Sequence, residues 1–150
     1  MIEISCDPAR LDAALIHDFL CNHSHWARGI SRAIVDRSLA HSLCFGAYAV
    51  HDQVGLARVV TDRATFAWLA DVFVLEARRG QGIGAALMDA VIAHPDLLGL
   101  RRFCLVTRTA PALYARYGFT PLAAPEIWME RFDAEVYARQ AARLPHDPPV

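Results

Sequence analysis

The chain has no lysine: all 15 of its basic residues are arginine. That absence excludes a Schiff-base lysine, a pyridoxal-phosphate enzyme and a phosphate-binding loop of the lysine type. A codon bias toward arginine accounts for it. The four cysteines, Cys6, Cys21, Cys44 and Cys104, form no C-x-x-C pair. They make neither a disulfide scaffold nor a zinc ribbon, which points to a reducing, cytoplasmic setting. Cys44 and Cys104 sit in apolar runs and read as small buried hydrophobes. The seven histidines are dispersed, with no H-x-x-x-H or H-E-x-x-H pattern, so no metal site is expected. Formal net charge is -1, so there is no basic footprint for nucleic acid. No apolar run approaches the roughly 18 residues of a membrane span. Met1-Ile2-Glu3-Ile4-Ser5 is acidic and alternating, unlike a secretory leader.

A chain of 150 residues with 55% hydrophobic and 21% charged residues can bury a core and is not disordered. A single domain is expected, with a core over about residues 2–130 and a C-terminal helix and tail over 131–150. Ile2 to Cys6 reads as a strand. Asp7 caps a helix with Pro8 at its first position, and Leu11, Leu15 and Phe19 form one face of it. Ser31 caps a second helix. Leu43 to Val50, Val54 to Val60 and Thr65 to Leu75 read as strands of an antiparallel meander, turning at 51–53 and 61–63. Gly82 to His94 is helical, with Ile83, Leu87 and Val91 on one stripe and Pro95 ending it. Arg102 to Thr107 is a strand. Ala110 to Tyr117 is a short helix closed by Gly118. Phe119 to Met129 holds a last strand interrupted by Pro121 and Pro125. Asp133 to Leu144 reads as a terminal helix, and the tail from Pro145 frays. The order β-α-α-β-β-β-α-β-α-β predicts an α/β fold. Its mixed sheet has helices on both faces and one parallel pair made by a right-handed crossover.

The chemistry-bearing stretch runs from Val72 to Ala85 and passes from strand through a glycine-rich turn into a helix. Gly80, Gly82 and Gly84 let a ligand approach the backbone without Cβ obstruction. Amides from about Gln81 to Ala85 open toward the helix start, where the dipole favours an anion. Arg78 and Arg79 add charge-assisted donors, so a pyrophosphate is the expected ligand. Gly80-x-Gly82-x-x-Ala85 also satisfies a dinucleotide pattern. That reading requires an acidic residue at the end of the next strand, where Val106-Thr107-Arg108 has none.

Arg79-x-x-Gly82-x-Gly84 resembles the coenzyme A pyrophosphate loop of GNAT acetyltransferases. Leu113-Tyr114-Ala115-Arg116-Tyr117-Gly118-Phe119 resembles that family's L-Y-x-x-x-G-F segment. The resemblance covers about residues 2–130 and implies a GNAT-like fold whose sheet is partly splayed. It implies acetyl-CoA as co-substrate and direct transfer to an amine. Val72, Phe73 and Val74 would then pair with the pantetheine arm and supply an amide to the thioester oxygen. Gln81, Gly82, Ile83, Gly84 and Ala85, with Gly80 and Arg79, would hold the pyrophosphate. Tyr114 matches the tyrosine that protonates the leaving thiolate; the alternative is a tyrosine that only packs. Tyr117 is expected to pack on Phe119. Thr107 stands where many members carry Asn, and offers one hydroxyl in its place.

Asp71 lies within the apolar run Phe66 to Leu75. It is either the base that takes the amine proton or half of an ion pair with Arg58 on the neighbouring strand. On the acceptor side the resemblance points to His25, Trp26 and Arg28, facing Trp68 or Asp71. Trp26 stacks on a substrate or anchors its loop. Arg28 and Arg58 suit a substrate carboxylate. The expected acceptor is a small-molecule amine, with a homodimer as the expected assembly. The rival readings are a non-catalytic acetyl-CoA sensor and an acetyltransferase acting on proteins or peptides.

Overall fold

The computed structural model describes residues 1–143. Five strands form one sheet in the order β1-β2-β3-β4-β5. They are β1 (Ile2–Ser5), β2 (Leu43–Ala49), β3 (Asp52–Thr61), β4 (Phe66–Val74) and β5 (Arg102–Leu105). The first three pairings are antiparallel and β4–β5 is parallel. The hairpin turns are short and chemically explicit. Val50 takes a left-handed φ of 60° between β2 and β3. Between β3 and β4, Asp62 accepts the amides of Ala64, Thr65 and Phe66 and the Thr65 hydroxyl. Those bonds hold its carboxyl below the ordinary range, with the Thr65 hydroxyl the largest contributor.

The chain divides into two compact units. The first is Met1–Leu11 with Leu39–Pro121, and the second is Asp12–Ser38 with the chain from Leu122 onward. In the first unit, α3 (Ile83–Ala93) lays the stripe Ile83, Leu87, Met88 and Val91 on the sheet. All four are buried against Phe45, Ala47, Ala57, Val59, Ala67 and Leu69. The parallel crossover thus supplies the main apolar layer of the unit.

The predicted first helix is broken. Asp7 and Pro8 open only a single 3-10 turn, Pro8–Arg10, because Leu11 turns extended at ψ 128°. Asp12 restarts the chain by accepting the Leu15 amide at 3.0 Å, and α1 is Ala13–Asp18. A wide π turn over Phe19–His23 follows and moves the buried positions to Ile16, Phe19 and Leu20. The predicted cap of α2 (Arg32–Ala40) is present, with Ser31 Oγ accepting the Ile34 amide at 3.3 Å.

The predicted strand over Phe119–Met129 is absent among the described residues; a 3-10 turn over Pro125–Ile127 stands there instead. Pro121 and Pro125 each remove a ladder donor, and Pro125 sits at the start of that turn. The terminal helix α5 is Val136–Arg143, shorter than predicted at its start. Leu144 and the tail from Pro145 lie outside the described residues.

Candidate functional site

β4 carries one extra residue. Its register against β3 runs Ala57↔Val72, Arg58↔Asp71, then Val59↔Leu69, so Ala70 has no partner. A bulge of this kind bends the strand and increases its twist. The parallel pairing with β5 ends at the same place, at Leu69↔Leu105. Beyond it β4 is paired on the β3 side only. Antiparallel pairing alternates which residues bond the neighbour. Leu75 donates to the Val54 carbonyl, and a Cβ on Gly55 would lie 2.9 Å from the Phe73 carbonyl oxygen. Phe73 therefore turns its backbone toward β3, and Val72 and Val74 turn theirs to the open edge. Of the three strand residues singled out in the sequence, only these two turn their backbone away from β3.

That edge leads into the glycine-rich turn. Arg79 Nε donates to the Val74 carbonyl at 3.3 Å, folding the turn back on the strand end. Gly80 and Gly82 have φ of 76° and 77°, the region where a Cβ is penalised. Gly84 differs: its backbone is ordinary, and an added Cβ would meet nothing within 4 Å. Neither strain nor packing demands glycine there. Its absent side chain leaves the first turn of α3 bare. Gly82 lends no side-chain cap and the first turn holds no acid. The starts of α1 and α2, in contrast, are both capped by side chains. The amides of Ile83, Gly84 and Ala85 face outward with the positive end of the helix behind them, an arrangement suited to a pyrophosphate.

Tyr114 lies on α4 (Pro111–Ala115), and its position follows from how that helix stops. Gly118 has φ 88°. The Gly118 amide bonds the Ala115 carbonyl at 3.1 Å, and the Phe119 amide bonds the Tyr114 carbonyl at 3.2 Å. These are the two bonds of a Schellman stop, and the ring of Phe119 meets that of Tyr114 at 6.2 Å to complete it. The spacing Y-x-x-x-G-F is thus a helix terminator that fixes the tyrosine. Burial raises the Tyr114 phenol above its ordinary pKa, so it stays protonated and able to donate. Phe119 also stacks edge-on with Phe103, at 5.3 Å. Tyr117 does not join that ring cluster as expected: its hydroxyl bonds α3 at Ala85 O (3.2 Å) and Asp89 Oδ1 (3.0 Å). Thr107 turns its hydroxyl to accept the Ala110 amide at 3.0 Å, ordering the entry to α4.

The bulge decides a second feature. Trp68 pairs with Val60 and Asp71 with Arg58, and Val60 and Arg58 are two apart on β3. Trp68, Arg58 and Asp71 therefore share one face of the sheet, although 68 and 71 have opposite parity. Asp71 is 5% exposed. Its Oδ2 accepts Arg58 Nε at 2.7 Å, and Arg58 Nη1 donates to Ser42 Oγ at 3.0 Å. The ion pair weighed in the sequence is present. Ser42 completes it, a residue the sequence did not single out because no spacing links it to Arg58. Cys44 sits opposite Arg58 on β2, and burial pushes its thiol up to about 11. It is a thiol at neutral pH, not a nucleophilic thiolate.

In the second unit, the π turn feeds a tightly bonded loop. Ser24 Oγ donates to Leu20 O at 2.6 Å and accepts the Ala27 amide at 3.0 Å. The Ile30 amide closes a turn on Ala27 O at 3.0 Å, with Gly29 at φ 80°. On this loop Trp26 is 42% exposed, leaning on Phe19 and meeting His25 edge-on at 5.1 Å. His25 and Arg28 are exposed beside it. Among the described residues no group of three His, Cys, Asp or Glu is placed to hold a metal ion.

The family model for the GNAT acetyltransferase domain matches residues 40–121, more than half of the 150-residue chain. A Gibberella zeae protein named as an acetyltransferase, FG08082, is 31% identical over 136 residues, covering 75% of each chain. A crystal structure from Xanthomonas campestris pv. campestris, assigned to the GNAT family, superposes with a TM-score of 0.91 at 52% identity. That match covers 92% of this chain and 97% of the other. A GNAT acetyltransferase from Elizabethkingia anophelis, crystallised with acetyl-CoA bound, shares the fold at TM-score 0.60 and 18% identity, over 86% of each chain. The five-stranded mixed sheet matches that of these relatives: the chain belongs to the GNAT superfamily and is an acetyltransferase of the N-acetyltransferase type.

Proposed function

We propose that the protein transfers an acetyl group from acetyl-CoA directly to a primary amine of a small molecule. The observation that carries this reading is the meeting of a one-sided strand edge and an uncapped helix start. The open edge at Val72 and Val74 runs into the uncapped first turn of α3. An extended amide-bearing arm ending in a pyrophosphate fits both, the arm as an added strand and the phosphates on the Gln81–Ala85 amides. Gly84 leaves room for it, and Arg79 adds charge at the turn.

In this reading the amine nitrogen forms its bond to the thioester carbonyl carbon, the C–S bond breaks, and Tyr114 gives the departing sulfur a proton. A phenol held protonated by burial suits that task. No acyl-cysteine intermediate is invoked, because Cys44 is a buried thiol and neither motif contains a cysteine. We assign Asp71 to a structural pair with Arg58 rather than to proton abstraction. Its Oδ2 is already taken by the Arg58 guanidinium at 2.7 Å, and the side chain is buried. The attacking amine then loses its proton to solvent. His25, Trp26, Arg28, Arg58 and Trp68 remain the candidates for acceptor contact.

Calorimetric titration with acetyl-CoA, with NAD in parallel, tests the cofactor. Binding of acetyl-CoA alone is expected; binding of NAD instead overturns the reading. With an amine found by a thiol-release screen, Tyr114→Phe is expected to slow turnover about 100-fold with acetyl-CoA affinity held. Unchanged turnover removes Tyr114 from the chemistry.

A further inference from the structure

We propose that Tyr117 and Asp89 form a positioning joint. It ties the helix carrying Tyr114 to the turn that grips coenzyme A, so that cofactor binding orders α4. The inference rests on the reading of the α3 turn as a coenzyme A site.

α4 has only five residues, too few to hold itself together in water. Besides the packing of Tyr114, Tyr117 and Phe119 on the core, two specific contacts tie its C-terminal end to other elements. The first is the ring contact of Phe119 with Phe103 on β5. The second is the Tyr117 hydroxyl, placed 3.2 Å from Ala85 O and 3.0 Å from Asp89 Oδ1. The acceptors are informative. Ala85 and Asp89 are i and i+4 on α3. Ala85 belongs to the first turn, whose amides face the ligand, and Asp89 to the next. One phenol proton is shared between a backbone oxygen of the binding turn and a carboxylate behind it. Burial and the bond to Asp89 both raise the Tyr117 phenol, so that proton is retained at neutral pH. On the other side, the Tyr117 amide donates to the Tyr114 carbonyl at 3.0 Å. The path from the first turn of α3 to Tyr114 therefore consists of two hydrogen bonds and one residue.

A ligand that immobilises Ile83 to Ala85 removes freedom from Ala85, and the joint passes that restriction to α4. Asp89 is otherwise exposed on α3.

Hydrogen exchange with and without coenzyme A, in the full chain, tests the joint. Two sets of amides report. One is the first turn of α3. The other is Leu113, Tyr114, Tyr117, Gly118 and Phe119, whose bonds define α4 and its stop. Coenzyme A is expected to slow both sets in the wild type, the second by about 5-fold or more. Tyr117→Phe keeps the ring and removes the proton. It should retain the slowing on α3 and abolish it on α4. Asp89→Asn keeps an acceptor oxygen and should retain both. A merely structural tyrosine would instead speed α4 exchange equally with and without coenzyme A, and that result overturns the joint. So does slowing on α4 that survives in Tyr117→Phe, or slowing confined to α3 in the wild type. No slowing on α3 in the wild type overturns the coenzyme A reading itself, a failure distinct from the others.

Discussion

The two halves of β4 are built to different rules. From Phe66 to Leu69 the strand is bonded on both sides, to β3 and to β5, and Ala67 and Leu69 are buried in the core. From Asp71 to Val74 it is bonded on one side. Val72 and Val74 are half-buried, and the side-chain face has switched. Ala70 separates the halves. The first half is held by two ladders. The second keeps one ladder and replaces the other with the Asp71–Arg58–Ser42 bonds and the Arg79–Val74 bond. A strand can leave its backbone open to a ligand when side chains hold it from elsewhere.

The strongest way to break that contrast is to remove the residue that creates it. Deleting Ala70 would make the ladder continuous, Leu69 opposite Val59 and Asp71 opposite Arg58, with every side chain kept on its own face. What it removes is the bend that accompanies the open edge at Val72 and Val74. Cooperative unfolding should be retained in a denaturant titration, while coenzyme A binding is lost by calorimetry. A variant that binds coenzyme A like the wild type would show that the bulge is incidental.

Next comes the bond set that replaces the lost ladder. Arg58→Met leaves Asp71 buried beside an apolar side chain and is expected to cost about 3 kcal/mol. The double variant Arg58→Met with Asp71→Leu should recover most of it, because the buried charge is gone. Equal losses in the single and double variants would mean the pair contributes packing only.

Gly84→Leu sharpens the functional side. The position has ordinary backbone and open space, so a good helix former there should leave stability unchanged or raise it by about 0.5–1 kcal/mol. Coenzyme A affinity should fall about 10-fold or more by calorimetry, since the side chain covers the α3 amides. Stability and binding moving in opposite directions is the signature of a site. A parallel fall in both would mark Gly84 as structural.

The smallest effect lies at the other end of β4. The Asp62 carboxyl is held below its ordinary value of 3.8 by Thr65, Ala64 and Phe66. A depressed folded-state pKa contributes stability above the unfolded pKa, which is lost as pH falls below 3.8 toward the folded one. Asp62→Asn should therefore flatten the acid limb of the stability curve slightly, measured as midpoint against pH. It should leave coenzyme A binding at pH 7 unchanged. An acid limb identical to the wild type would discount the turn as a proton-linked contact.

Much of this was legible in the sequence for local reasons. The strands β1 to β5 announce themselves by apolar runs between turn residues. The stripe Ile83, Leu87, Val91 marks α3, and all three are buried. Gly80 and Gly82 take the positive φ that their place in a turn requires. Gly118 stops α4 as its spacing from Tyr114 implies. Other features escaped the sequence, some for local reasons and some because they depend on distant partners. The π turn at Phe19–His23 and the restart at Asp12 interrupt what periodicity reads as one helix. The strand expected over Phe119–Met129 has the apolar content but lacks the donors at Pro121 and Pro125. The Tyr117–Asp89 bond joins residues 28 apart, on two helices whose packing no local pattern encodes.

The division follows the range of the forces involved. Periodicity, capping, turn chemistry and glycine conformation act within a few residues. The sequence alone therefore determined the strand–turn–helix that offers an anion site and the stop that fixes Tyr114. Cross-strand register is set by the whole sheet. Only the tertiary structure decided that Ala70 bulges, that Val72 and Val74 rather than Phe73 face the open edge, and that Trp68, Arg58 and Asp71 share a face. A one-residue shift in pairing inverts every one of those assignments without changing a letter of the sequence.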